Sequence, residues 1–103
     1  MLGVGEDGHT ASLFPNTAAL DVQGRLACAN YIEAKKSWRM TLTFECINQS
    51  FHSVIYAIGA SKSAIVPKIL NSAIRSEFPA SRIGTSENKC LWILDKAAAQ
   101  TLN

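Results

Sequence analysis

Apolar residues are densest between Ser53 and Ile58 (Ser-Val-Ile-Tyr-Ala-Ile), which reads as the clearest strand of the chain. A run so nearly all apolar is expected of a strand covered on both faces. Arg25 to Glu33 is a weaker strand pattern, and Arg39 to Phe44 alternates and is rich in threonine, which also predicts a strand. Glu45 to Phe51 reads as a short helix. Gly59 and Ala60 turn the chain, and Ser61 is a suitable N-cap for a helix running to about Arg75. Ile65, Ile69, Leu70, Ala73 and Ile74 recur there at helical spacing, with Pro67 expected to kink the helix or restart it. Phe78 to Glu87 reads as loop, Leu91 to Leu94 as a short apolar strand, and Asp95 as the cap of a final helix through Ala97–Ala99 and Leu102. Ahead of all this, residues 3–9 read as loop, Thr10 to Phe14 as a helical turn stopped by Pro15, and residues 15–25 as irregular connection. Strands alternating with helices predict an α/β layer with a mostly parallel sheet.

Composition narrows the picture. The chain has 103 residues, at most one small domain; 48% hydrophobic and 17% charged residues describe a globular chain. The net charge of +2 comes without any run of lysine or arginine, so no nucleic-acid surface is indicated. No apolar stretch approaches membrane-span length, and the first residues carry no signal-peptide pattern. Cys28, Cys46 and Cys90 are odd in number and widely spaced, without a C-x-x-C pattern. They read as reduced thiols of a cytosolic protein.

The chemistry concentrates in the first fifteen residues, where Gly3, Gly5 and Gly8 crowd His9. Glycine permits positive φ and close backbone approach, and histidine is the side chain best suited to move protons near neutral pH. Such a loop is suited to presenting an imidazole. Gly3 to Gly8 satisfies G-x-G-x-x-G, but no full strand precedes it, no long apolar helix follows, and Asp21 comes too early for a dinucleotide site. A serine-hydrolase reading with His9 and Ser12 lacks a G-x-S-x-G elbow and puts its members too close in sequence.

The whole string, D-G-H-T-A-S-L-F-P after G-x-G-x, resembles the signature of the 6-phosphogluconolactonases. The related glucosamine-6-phosphate deaminases share the G-x-D-G-H core but typically continue differently after the histidine. Downstream, Arg39-Met40-Thr41-Leu42-Thr43 resembles the family's R-I-T-L-T strand, and Asn48 falls where the family has an asparagine. Gly59-Ala60-Ser61-Lys62-Ser63 resembles G-x-x-K-A, Pro79-Ala80-Ser81 a P-A segment, and Leu91 to Ala98 the closing W-x-x-D-x-x-A.

The resemblance implies a doubly wound, mostly parallel α/β fold and hydrolysis of 6-phosphoglucono-δ-lactone to 6-phosphogluconate in the pentose phosphate pathway, with no metal or cofactor. His9 matches the family's base. Asp7 orients its ring or organises the loop, Gly5 and Gly8 offer backbone N–H groups to a developing oxyanion, and Lys62 and Arg39 are cations for phosphate or lactone oxygens. For Lys62, a helix N-terminus is expected to act on the same phosphate. Family chains are more than twice this length. Residues 1–103 are therefore expected to be the C-terminal portion of a single domain whose N-terminal half is absent. The expected partner is a phosphorylated sugar lactone, with self-association through an exposed sheet edge, in the cytoplasm. Two alternatives remain: an amino-sugar phosphate isomerase/deaminase, and a catalytically silent interaction fragment.

Overall fold

The computed structural model describes residues 1–71 and 77–102. Its centre is β3 (Val54–Ala57), paired in parallel with β4 (Leu91–Leu94) in the register Val54 to Leu91 through Ala57 to Leu94. On the other side of β3, the Leu2 N–H donates to the Val54 carbonyl at 2.7 Å, and the Tyr56 N–H donates to Leu2 at 3.0 Å. The glycine-rich loop that begins at Gly3 therefore leaves directly from the edge of the central strand.

The second unit is an antiparallel hairpin, β1 (Ala27–Ile32) and β2 (Ser37–Leu42), registered from Ala27–Leu42 to Ile32–Ser37. A 3₁₀ turn over Glu33–Lys35 and a left-handed Lys36 (φ 46°) join the strands. Thr43 ends β2 and starts α1 (Phe44–Asn48). Its hydroxyl accepts from the Cys46 N–H at 3.1 Å and donates to the Arg25 carbonyl at 2.6 Å. A cap that accepts a first-turn N–H is a strong helix start, so Phe44 belongs to the helix rather than to the strand. After β3 come a 3₁₀ turn, Ala60–Lys62, and α2 (Ile65–Leu70). Pro67 lies in the first turn of α2, where a missing N–H costs no intrahelical bond. The helix expected from Ser61 therefore starts later, and Ser61 is not its cap. Ala73 and Ile74 lie outside the described residues.

Within this α/β architecture the described residues hold a parallel pair, β3 and β4, with Leu2 bridged in parallel to Ile55, and a separate antiparallel pair, β1 and β2. Two further expectations are corrected. Among the described residues β3 is covered on one face. Ile55 and Ala57 are buried in the same apolar cluster as Ile65, Val66 and Ile69 of α2, whereas Tyr56, Leu91 and Ile93 on the opposite face are exposed. Finally, Thr10–Phe14 and the segment after Asp95 are turns, not helices. Thr10 pairs with Leu13, and Ala11 takes a φ of 51° that no right-handed helix allows. Asp95 does cap, accepting from the Ala98 N–H at 2.8 Å, but a series of single turns follows it.

Buried polar side chains of the hairpin bind the segment from Ser12 to Ala19. Asn30, 1% exposed, accepts the Ala19 N–H at 3.1 Å and donates its amide to the Ser12 carbonyl and the Thr17 hydroxyl, both at 2.9 Å. The Ser12 N–H in turn donates to the Thr41 hydroxyl at 3.1 Å. Removing Asn30 leaves a buried donor and acceptor without partners. Asn30→Ala is expected to lower unfolding free energy by about 2–3 kcal/mol. Denaturant unfolding checks this, and an unchanged midpoint would show that the network contributes nothing.

Candidate active site

The loop from Gly3 to Phe14 is folded on itself by short hydrogen bonds. The Gly5 N–H donates to the His9 carbonyl at 2.9 Å, the Gly8 N–H to the Gly5 carbonyl at 3.0 Å, and the buried Thr10 hydroxyl to the Gly3 carbonyl at 2.7 Å. The expectation that Gly5 and Gly8 offer N–H groups to an oxyanion is therefore corrected, because both donors are used within the loop. Their role is spatial. A Cβ on Gly5 would stand 2.2 Å from both Cε1 and Nδ1 of His9, and a Cβ on Gly8, whose φ is +86°, would stand 2.7 Å from the Phe78 ring. Only glycine lets the chain pass the imidazole at that distance.

One carboxylate oxygen organises His9. Asp7 Oδ1 accepts the His9 backbone N–H at 3.0 Å and meets the ring Nδ1 at 2.5 Å. One Asp7 oxygen thus meets both the loop backbone and the ring. Partial burial alone would raise the Asp7 pKa; the hydrogen bonds from the His9 N–H and ring, with the ring's charge, outweigh it, and the carboxyl sits below the ordinary aspartate value. An ionised Asp7 can only accept from Nδ1, so in the neutral ring this contact requires the proton on Nδ1 and leaves Nε2 with its lone pair. The ring also stacks on Phe14, with centroids 4.0 Å apart and planes inclined at 19°. His9 makes no hydrogen bond to Ser12 among the described residues, so no serine triad forms.

Lys62 reaches the same loop from the turn that follows β3. Its Nζ donates to the Val4 carbonyl at 2.7 Å, leaving two of three ammonium donors for another acceptor. The turn that carries it is fixed by Asp95, whose two carboxylate oxygens each accept the Gly59 N–H at 3.1 Å. Gly59 has φ +97°, which a side chain would strain. The Lys62 N–H is itself spent on the Gly59 carbonyl, and α2 begins three residues later, so a helix N-terminus does not accompany the ammonium as expected. Arg39 stands beside Asn30 on the face of β2 that holds Ser12; it is exposed and makes no hydrogen bond or ion pair among the described residues. The structure joins Asp7, His9 and Lys62 through one loop, and Arg39 bonds to none of them. Phe14, Asn30, Thr41 and Phe78 support the site without having been singled out; the first lay within the motif, where its role was not visible. A cleft of about 460 Å³ between Ile69, Gly84 and Trp92 contains none of Asp7, His9 and Lys62. The described residues include no cluster of three metal-ligating side chains, and no helix long and apolar enough to cross a membrane.

An α/β scaffold thus carries a carboxylate-held imidazole on a loop whose backbone a lysine also holds. Residues 1–92 match the family of glucosamine-6-phosphate isomerases/6-phosphogluconolactonase, and the chain belongs to it. It is 47% identical to the 6-phosphogluconolactonase of Chlamydia muridarum over 94 residues, which is 91% of this chain and 37% of that protein. It is 34% identical to that of Homo sapiens over 103 residues, covering 99% and 40%. Among solved structures, it is similar to the devB protein (TM-score 0.85, 32% identity, covering 99% of this chain and 43% of that one). It is also similar to the 6-phosphogluconolactonase of Trypanosoma brucei (TM-score 0.79, 31% identity, covering 99% and 41%). The chain thus spans about two fifths of the length of the curated relatives it matches.

The depressed Asp7 carboxyl makes a pH-dependent contribution to stability. A carboxyl whose folded pKa lies below its unfolded one stabilises the fold above the unfolded value, and the contribution is lost as pH falls through the folded one. The melting-temperature advantage of the unsubstituted chain over Asp7→Asn should therefore be full at about pH 5 and shrink toward about pH 3. Thermal melts across that range check this; a difference independent of pH would exclude an ionised Asp7 as the partner of His9.

Proposed function

We propose that this chain carries the base and a phosphate cation of a 6-phosphogluconolactonase and corresponds to the C-terminal portion of such an enzyme. The observation that carries the proposal is the 2.5 Å contact between Asp7 and Nδ1 of His9, which leaves Nε2 as the proton acceptor. A δ-lactone is an activated ester, so hydrolysis depends on a base that deprotonates the attacking water. In this reading Nε2 takes a proton from water as the oxygen bonds to the lactone carbonyl carbon. Asp7 steadies the imidazolium that forms. The same proton then passes to the ring oxygen as the ester bond breaks, giving 6-phosphogluconate. Lys62 binds the phosphate as a point charge, and Arg39 is a second cation for phosphate or lactone oxygens.

The names of the relatives favour the lactonase reading over the deaminase one, as does the Thr10 to Pro15 continuation of the loop. Three unbridged cysteines are consistent with work in the cytoplasm. The outer edge of β4, unpaired among the described residues, and the exposed Tyr56 and Ile93 beside it favour self-association of the chain by itself.

The test is acid release from fresh 6-phosphoglucono-δ-lactone by this segment carried in a protein of its relatives' length. His9→Asn should lower kcat by about 10²–10⁴. Lys62→Ala should raise KM for the phosphorylated lactone far more than for the unphosphorylated one. The 103 residues alone should turn over well below about 1 per second, because positioning is worth as much as about 7–11 kcal/mol of barrier and the chain spans only about two fifths of its relatives' length. Undiminished turnover by His9→Asn, after correction for spontaneous hydrolysis, would refute the assignment.

A further inference from the structure

The Asp7 bond fixes one point of the His9 ring, Nδ1, and a point does not fix a plane. The torsion that turns an imidazole about its Cβ–Cγ bond is broad, so the plane needs a second restraint. Gly5 leaves space against the Nδ1–Cε1 edge but, having no side chain, does not hold it. Phe14 faces the ring at 4.0 Å with only 19° between the planes. Phe14 is 6% exposed, yet it stands outside the apolar cluster that Leu13, Ile55 and Val66 form. Its ring meets the His9 imidazole and, from the hairpin turn, the Lys35 ammonium, whose Nζ is 5.7 Å from the centroid. Its backbone is held independently of both. Leu13 beside it is fully buried and bonded to Thr10, and the Phe14 carbonyl accepts the Thr17 hydroxyl at 2.6 Å. An anchored aromatic plane pressed on a half-exposed imidazole is poorly explained as core packing.

We propose that Phe14 is a positioning residue for His9, setting the plane of the imidazole so that the Nε2 lone pair points at the substrate. The assignment rests on the lactonase reading for the identity of that substrate; the geometric claim does not. Phe14 touches no reacting atom. It acts by removing the rotation that the Asp7 bond leaves free, so its loss affects the chemical step more than substrate binding.

Two readouts test it. In the 103-residue chain, ¹³C relaxation and relaxation dispersion at His9 Cε1–H report ring motion without any substrate. The unsubstituted ring should be rigid, with an order parameter near about 0.85, falling toward about 0.6 or showing exchange in Phe14→Leu and recovering in Phe14→Tyr. In a lactonase of full family length, Phe14→Leu should lower kcat by about 10- to 100-fold with KM within about twofold, and Phe14→Tyr should restore most of it. A mobile His9 ring in the unsubstituted chain overturns the proposal whether or not any variant folds. So does a Phe14→Leu ring as rigid as the original. Absent turnover in every version, with the relaxation pattern as expected, would instead refute the lactonase reading and leave the positioning role standing.

Discussion

The site depends on a single oxygen accepting twice. Asp7 Oδ1 takes the backbone N–H of His9 and faces the ring Nδ1 of the same residue, so loop conformation and imidazole orientation are set by one group. That arrangement is open only to a chain that can pass within 2.2 Å of where a Gly5 Cβ would stand and can take φ +86° at Gly8 against Phe78. The glycines are thus a condition for the Asp7–His9 pair to close. Charge-assisted hydrogen bonds of this kind are among the stronger ones, and here the bond also decides which ring nitrogen is left to accept a proton.

The scaffold carries that constraint outward. The loop is tied to β3 through the backbone bonds of Leu2, which runs parallel to it, and its Val4 carbonyl is held by Lys62 from the turn beyond the carboxyl end of β3. That turn is tied to the end of β4 by Asp95 through the Gly59 N–H. The downstream end of the loop is held by the hairpin, where Asn30 and Thr41 bind the backbone of Ser12. The loop that carries His9 and the turn that carries Lys62 therefore leave from the same, carboxyl end of β3 and its parallel neighbour and meet at the Val4 carbonyl. A short sheet is enough to place them, even though one of its faces is open among the described residues.

Much of this was legible in the sequence, and the reasons are particular. The run Ser53–Ile58 and the short run Leu91–Leu94 located both parallel strands, because β-branched and apolar clustering carries that signal even in four residues. His9, Asp7 and Lys62 were readable because glycine and charge patterns are local. Partners that depend on tertiary contacts were not. Nothing near Asn30 marks it as the buried link to Ser12 and Thr17, and Phe14 looks like an ordinary apolar residue until its ring is seen against His9. The N–H groups of Gly5 and Gly8 invited an oxyanion role because sequence does not show that each already has a carbonyl partner. The helix expected from Ser61 begins at Ile65 because Gly59 and Asp95 first impose a 3₁₀ turn, a long-range bond that helical periodicity does not encode.

The account stands most directly on which nitrogen of His9 carries the proton when the ring is neutral. Long-range ¹H–¹⁵N correlation on the 103-residue chain with the ring neutral reads this without substrate or turnover. Hydrogen bonding to Asp7 requires a protonated Nδ1 and an unprotonated Nε2. A neutral ring protonated mainly at Nε2 would put the lone pair toward Asp7 and contradict the assignment of His9 as the base.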